Sequence, residues 1–596
     1  MFQTFEVTAR PEQGPPRLKA LRAEMAAEGL AGFLVPRADA HQGEYVASRD
    51  ERLAWLTGFT GSAGFCAVLR GEAGVFIDGR YRTQVKAQVA EAFTPVPWPD
   101  VTLGPWLAER LGEGDRVGFD AWLHTPEQIE KVRAALLGTG VQLVPCANLV
   151  DRIWKDQPAP PMAPAKVHPI EFAGESSADK RARLGETLQK AGQRSAVITL
   201  PDSLCWLLNI RGADIPRNPV AHGFAVLHAN GEVDLYMASA KLKGLEAHLG
   251  EAVRCHDPAD FLDHLSELEG PVRVEKQSAP VIVAEALNDR LVWGEDPCAL
   301  PKACKNEAEI KGSAAAHLRD GAALCELLAW LDAQPTGSLR ETEVVSKLEA
   351  FRRRDNALQD ISFETIAGTG PNGAIMHYRV TEETDSTLEE GQLLVLDSGG
   401  QYLDGTTDIT RTMPIGSPPD AARTAFTRVL SGMIAMSRLR WPVGLSGREI
   451  EAIGRMPLWL AGQDFDHGLG HGVGAYLSVH EGPQRLSKLS AVPLQPGMIL
   501  SNEPGYYREG AFGIRIENLL VVRPAPALPG GDDHRAMLNW ETLSFAPIDR
   551  RLILPDLLES AHRDWLNAYH RDVAEKIGPR VSPETKLWLD AATAPL

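Results

Sequence analysis

FDHGLGHGVGAYLSVHEGP, residues 465–483, sets His467, His471 and His480 among Gly468, Gly470, Gly472, Gly474 and Gly482. How this stretch folds decides what the histidines can build. A zinc-binding helix presents two histidines four apart on one face, the spacing of His467 and His471. Glycine costs about 1 kcal/mol in a helix interior, however, and Gly-Leu-Gly is all that separates the two histidines. Glycine also permits close backbone approach and positive φ. The stretch therefore reads as a loop or strand edge that carries imidazoles to a point. What lies there must come from the rest of the chain.

The flanking sequence offers carboxylates. Asp397 ends the apolar run LLVLD, and Asp408 follows in DGTTDITRT beyond the turn signal Tyr-Leu-Asp-Gly. A strand, a turn and a return strand bring the two aspartates together. Glu503 ends MILSNE, and Glu517 lies in GIRIENLLVV, where alternation puts Ile514 and Ile516 on one face and Arg515 and Glu517 on the other. Any one acid at a strand end is an ordinary turn-former or solvated edge. Four of them beside a glycine-rich histidine loop read differently. Carboxylates converging at ~4 Å repel by roughly 4 kcal/mol per pair at an effective dielectric of about 20. They stay ionised only when cations share the site. Four carboxylates and one neutral imidazole leave a charge that two divalent ions balance. Oxygen-rich ligation with one histidine suits Mn²⁺ or a similar ion better than a structural zinc site.

Upstream, two segments resemble each other: RLAWLTGFTGSAGFCAVLRGEAGVFIDGRY (52–81) and SLCWLLNIRGADIPRNPVAHGFAVLHANGEVDLYM (203–237). Trp55 matches Trp206, Gly64-Phe65 matches Gly223-Phe224, and each segment follows a helical stretch and an apolar strand. Two copies of one α/β unit are expected. The five prolines of DQPAPPMAPAKVHP (156–169) mark a linker between them. Asn306 with Glu309 makes a capping pattern for a long helix, and Ser446 with Glu449 opens another that stops at Gly462. The expected domains are 1–160, 161–304 and 305–596, the last with helices flanking a sheet.

Composition narrows the function classes. The chain has 596 residues, 44% hydrophobic and 23% charged, with a net charge of −18. That balance speaks against nucleic acid or an anionic membrane as partner. The amino-terminal stretch has no signal-peptide core, and no apolar run approaches the ~18 residues of a membrane span. Seven scattered cysteines fit a reducing cytoplasm better than a disulfide framework. Cys298 and Cys304, with no second pair beside them, read as small apolar residues rather than metal ligands.

DSG (397–399), TTDITRT (406–412), HGLGHGVG (467–474), VHEGP (479–483), NEPGYY (502–507), GIRIEN (513–518) and GTGPNGAIMHY (368–378) resemble the motifs of the pita-bread metallopeptidases, peptidase family M24. Within these the chain is similar to the Xaa-Pro aminopeptidases, the aminopeptidase P family, in its long three-domain cytosolic form. Leu469 stands where that family usually has threonine. The resemblance implies an α/β (α+β) fold: two creatinase-like amino-terminal domains followed by a pita-bread catalytic domain with a carboxy-terminal extension. It implies Asp397, Asp408, His471, Glu503 and Glu517 as ligands of two divalent ions, Mn²⁺ before Zn²⁺ or Co²⁺, with Asp408 and Glu517 bridging. It gives His377, His467, His480 and Glu503 catalytic roles, has Arg515 orient a ligand carboxylate and puts Tyr507 near the substrate. Hydrolysis by a metal-bridged hydroxide, substrates with proline second, and a homodimer are expected on the same ground. Two other activities exist on this scaffold, a prolidase cutting Xaa-Pro dipeptides and a non-catalytic binding module. Two amino-terminal units argue against the first, and the complete ligand set against the second.

Overall fold

Two sheets in the amino-terminal half share one strand order, which is the most direct sign of how that half is built. The computed structural model describes residues 1–532 and 534–596. The first sheet runs Thr94–Pro97, Ala73–Ile77, Phe65–Leu69, Gly32–Pro36, Arg116–Phe119, Gln142–Pro145. The second runs Val253–His256, Val233–Tyr236, Phe224–His228, Ser195–Ile198, Val272–Val274, Leu291–Trp293. In each, the first strand in sequence pairs antiparallel with the strand after it and parallel with a later one. Trp55 and Trp206 occupy matching short helices, Arg52–Thr57 and Pro201–Leu208. Both sheets belong to one unit, Thr8–Ile170 with Glu175–Ala299.

The other unit comprises Met1–Val7, Glu171–Gly174 and Leu300–Leu596. Its first long helix, Glu307–Asp332, starts where Asn306 Oδ1 accepts from the backbone N–H of Ala308 and Glu309 while Glu309 accepts from Asn306 N–H. That reciprocal cap satisfies donors a helix start otherwise leaves orphaned. A three-stranded antiparallel sheet, Ile366–Thr369, Leu393–Ser398 and Ile409–Pro414, lies in this unit with a larger antiparallel sheet. The larger one has the order Arg440–Pro442, Met537–Thr542, Asn518–Pro524, Ile499–Asn502, Gly470–Gly472, Glu481–Leu486. One core joins the helices Glu307–Asp332, Asp420–Ser437, Gly447–Trp459 and Ser560–Ile577 to both sheets, with Leu393, Leu394, Phe426, Met433, Leu500 and Leu520 at most 1% exposed.

Two sequence expectations need adjustment. GIRIENLLVV is not one alternating strand: Phe512–Arg515 forms a hairpin with Gly505–Arg508, and a new strand begins at Asn518. At the break the Ile516 and Glu517 amides turn to the carbonyls of Pro504 and Thr410. The helix after Ser446 ends at Trp459, before Gly462 with its φ of 68°. Among the described residues no helix is long and apolar enough to cross a membrane.

Candidate metal centre

The apolar run LLVLDS is buried along its whole length because it is the central strand of the three-stranded sheet. Antiparallel pairing sets Asp397 opposite Thr410 and Ser398 opposite Ile409. The chain returns through a small hairpin in which Gln401 and Tyr402 pair with Thr406 and Gly405. Asp408 thus arrives beside Asp397, the two being 3% and 8% exposed. A buried arginine on the helix Glu341–Arg352 fixes the strand end: Arg352 donates to Ser398 Oγ at 3.0 Å and to the Gly399 carbonyl at 3.3 Å. Asp320 balances that guanidinium through two hydrogen bonds of 2.8 and 2.9 Å.

Crowding explains the glycines of the histidine stretch. Residues 470–472 form a strand between two neighbours. A Cβ on Gly470 would lie 1.9 Å from the Ser501 carbonyl oxygen, and one on Gly472 2.2 Å from that of Glu481. Only glycine lets the three backbones approach so closely. His471 stands between them. Its Nδ1 lies 3.0 Å from the Gly472 carbonyl, which places the proton there and leaves Nε2 with a free lone pair. Nε2 is 3.5 Å from Asp408 Oδ2 and 3.4 Å from Glu503 Oε1.

Glu503 and Glu517 come from the ends of adjoining strands. Ser501 Oγ donates to Glu503 Oε1 at 3.0 Å and accepts from His471 N–H at 2.9 Å, so one hydroxyl aligns two side chains. Thr410 Oγ1 donates to Glu517 Oε2 at 2.8 Å. Ligand atoms of Asp408, His471 and Glu517 all lie within 4.8 Å of one another.

Whether a metal belongs here is answered by what the carboxylates lack. Asp397 Oδ1, Asp408 Oδ1 and Glu517 Oε1 are buried without a hydrogen-bond partner. A buried, unpaired carboxylate oxygen is costly. Burial first, then repulsion from Asp397 and Glu503, drives the Asp408 carboxyl well above the ordinary carboxylate range. Glu517 is raised by burial, then by Asp408, Glu503 and Asp397. Orphaned oxygens, mutual repulsion and a presented imidazole lone pair fit hard divalent cations. Asp397, Asp408, His471, Glu503 and Glu517 are the donors present.

Around these donors runs a hydrogen-bond chain. Arg515, 3% exposed, donates to Asp397 Oδ2 at 2.6 Å and to the Tyr507 hydroxyl at 2.6 Å. That hydroxyl lies 2.9 Å from His467 Nε2, and His467 Nδ1 lies 2.7 Å from the Gly468 carbonyl. The arrangement is consistent when the phenol donates to Nε2, and burial keeps it protonated by pushing it up to about 12. His467 Nδ1 is also 4.0 Å from Glu503 Oε2. The His480 ring lies edge-on to that of His471 with centroids 4.2 Å apart. His377 is half-buried on the segment joining the strands Ile366–Thr369 and Leu393–Ser398.

Sequence reading missed several supporting residues. Arg352, Asp320 and Ser501 carry no motif signal beyond their residue type, and Thr410, inside TTDITRT, shows its role only through its bond to Glu517. Lys302 and Lys305, 3% and 5% exposed, both pair with buried Glu481, the neighbour of His480, at 3.0 and 2.6 Å. Two lysines so close in sequence, Lys302 in the short helix Ala299–Ala303 and Lys305 just beyond it, ordinarily read as solvated, and only the paired acid reveals burial.

Comparison with known proteins bears on this geometry. Residues 312–524 match the family model described as metallopeptidase family M24, and 536–596 match the carboxy-terminal region of that peptidase. Residues 17–153 and 156–309 each match a creatinase/prolidase N-terminal domain model. A probable Xaa-Pro aminopeptidase P of Laccaria bicolor is 38% identical, covering 97% of this chain and 93% of its own. Aminopeptidase P2 of Arabidopsis thaliana is 37% identical over 95% of this chain and 86% of its own. The crystal structure of an X-prolyl aminopeptidase from Caenorhabditis elegans, described as a cytosolic enzyme with a di-nuclear active site, superposes with a TM-score of 0.93. It is 32% identical and covers 98% of this chain and 99% of its own. A prolidase from Pyrococcus horikoshii, 24% identical with a TM-score of 0.50, covers 62% of this chain and 99% of its own, a likeness of fold alone.

Proposed function

The chain belongs to metallopeptidase family M24, in its aminopeptidase P branch, and from that membership we propose how its residues divide the work. The protein is a metalloaminopeptidase that hydrolyses the bond between a first residue and a following proline. The observation that carries the reading of the site is the set of three orphaned, buried carboxylate oxygens, on Asp397, Asp408 and Glu517, of which Asp408 and Glu517 cluster with the His471 imidazole. Asp397, Asp408, His471, Glu503 and Glu517 hold two divalent ions. When bound, the ions supply Lewis acidity and lower the pKa of a water molecule. The oxygen-rich donor set favours Mn²⁺.

The remaining chemistry falls to side chains. Water oxygen adds to the scissile carbonyl carbon, the C–N bond breaks, and a proton must reach the leaving proline nitrogen. Glu503 takes the proton from water and returns it to that nitrogen, with Ser501 Oγ steadying its other oxygen. A histidine, His377 or His480, donates to the carbonyl oxygen as charge develops there. Arg515 holds Asp397 in register and, through Tyr507, holds the His467 ring. An Xaa-Pro bond has no N–H and a fixed φ, so it escapes peptidases that grip that N–H. A dedicated site must instead seat the ring and bind the carbonyl on either side of it.

The competing prolidase reading differs in substrate length. Initial rates on Arg-Pro, Arg-Pro-Pro and Arg-Ala-Pro separate the two. The expected order is rapid release of arginine from Arg-Pro-Pro, little from Arg-Ala-Pro, and no preference for the dipeptide. A strong preference for Arg-Pro contradicts the assignment. N-acetylation of Arg-Pro-Pro should abolish cleavage.

A homodimer through the catalytic unit fits the exposed Met456, Trp459 and Leu460 at the end of one helix, and light scattering at micromolar concentration reads the mass. None of the seven cysteines is in a disulfide, which suits a cytoplasmic setting that cell fractionation would locate.

A further inference from the structure

Glu341 is the first residue of the helix Glu341–Arg352 and is 0% exposed. A buried carboxylate needs a reason. Five hydrogen bonds from four neutral groups reach it. Thr369 N–H donates to Oε1 at 2.7 Å, and Ser386 N–H to Oε2 at 3.2 Å. The Tyr378 hydroxyl donates to Oε2 at 2.7 Å, and Asn372 Nδ2 to both oxygens at 3.1 Å. The donors are not scattered. Thr369 ends one strand, Asn372 lies in the tight turn Gly370–Ala374, Tyr378 adjoins His377, and Ser386 lies farther along the same excursion. One side chain therefore grips the GTGPNGAIMHY segment at its start, at its turn and beside its histidine.

The opposite side of the turn is also closed. A Cβ on Gly513 would lie 1.7 Å from the Gly373 carbonyl oxygen. Gly513 sits in the strand Phe512–Arg515, two residues before the arginine that holds Asp397. The turn is wedged between Glu341 and that strand, so the backbone bearing His377 has little freedom.

We propose that Glu341 is a positioning residue for the reaction: it fixes the His377 segment relative to the strand of Arg515, and thereby sets where His377 meets the substrate carbonyl. The proposal rests on the reading of His377 as a carbonyl-facing donor. Glutamine at 341 tests it with little change in volume. Thr369 N–H and Ser386 N–H need an acceptor on different oxygens, and an amide offers only one. Misplacement of a positioned group by about 1 Å costs on the order of 10² in rate. E341Q is expected to lower kcat at least ~10-fold, with KM within about threefold and bound metal unchanged. Y378F, which removes one donor beside His377, should lower kcat less.

The deciding measurement is a double-mutant cycle on the metal-loaded enzyme. H377A alone should lose roughly 10²-fold, and E341Q/H377A should fall within about threefold of H377A, because a positioning residue has nothing left to position. If the two losses multiply while H377A is impaired, the proposal is overturned and the reading of His377 stands. A fully active H377A enzyme overturns both. Loss of metal in step with activity in E341Q also overturns it. Should E341Q fail to fold, the Y378F/H377A cycle decides by the same criterion.

Discussion

A single methyl group at position 470 should dismantle the metal centre. Gly470→Ala puts a Cβ 1.9 Å from the Ser501 carbonyl oxygen, 2.8 Å from its carbonyl carbon and 3.1 Å from its Oγ. Carbon–heavy-atom contacts settle near about 3.5 Å, so the strands must part by roughly 1.5 Å. They cannot do so innocently, because Ser501 aligns the His471 backbone and the Glu503 carboxylate. Overpacking of this kind costs about 1–3 kcal/mol or more in stability. Displacement of positioned groups by about 1 Å costs on the order of 10² in rate. Gly468→Ala is the control, since its nearest foreign atoms lie at 3.5 Å and its backbone is not left-handed. The assay is kcat/KM on Arg-Pro-Pro with bound metal and melting temperature measured on the same samples. G470A should lose at least ~10²-fold in kcat/KM and bind less metal, while G468A stays within about threefold of the parent. Parental activity and metal content in G470A would refute the packing argument.

The remaining predictions separate roles. His480→Ala should keep its metal and lose about 10²-fold in kcat/KM, whereas His471→Ala should lose metal; equal metal loss in both would mean the histidines are misassigned. In chelated protein the carboxyls of Asp408 and Glu517 stand above their unfolded values. Their contribution to stability is present below about pH 4 and is lost as pH rises through the folded values. The gap in melting temperature between metal-loaded and chelated protein should therefore widen from about pH 5 to pH 8, and a constant gap contradicts the buried cluster.

What was legible in the sequence had a local cause. Asn306 with Glu309 satisfies orphaned helix donors wherever it occurs, so the helix start was readable. Apolar runs ending in Asp397 and Glu503 fix both strand and exit point, and glycines flanking His471 announce crowding. What stayed hidden depends on residues distant in sequence. The break at Ile516 and Glu517 is imposed by the carbonyls of Pro504 and Thr410, which compete for amides that a plain strand would place elsewhere. Glu341 looks like an ordinary acid in a helix first turn, because its donors lie 28 to 45 residues away. Arg352 looks like a solvated end-of-helix base, yet it is 2% exposed and secures the strand of Asp397. Binary patterning places charged residues outside, and a buried charge is betrayed only by its partner.

Metal analysis of the purified protein bears most directly on the central claim, that four carboxylates and His471 form a dinuclear cation site on which peptide hydrolysis depends. Two divalent ions per chain are expected in active enzyme, activity on Arg-Pro-Pro should vanish on chelation, and Mn²⁺ should restore both. Full activity in a sample shown to be metal-free would contradict the account.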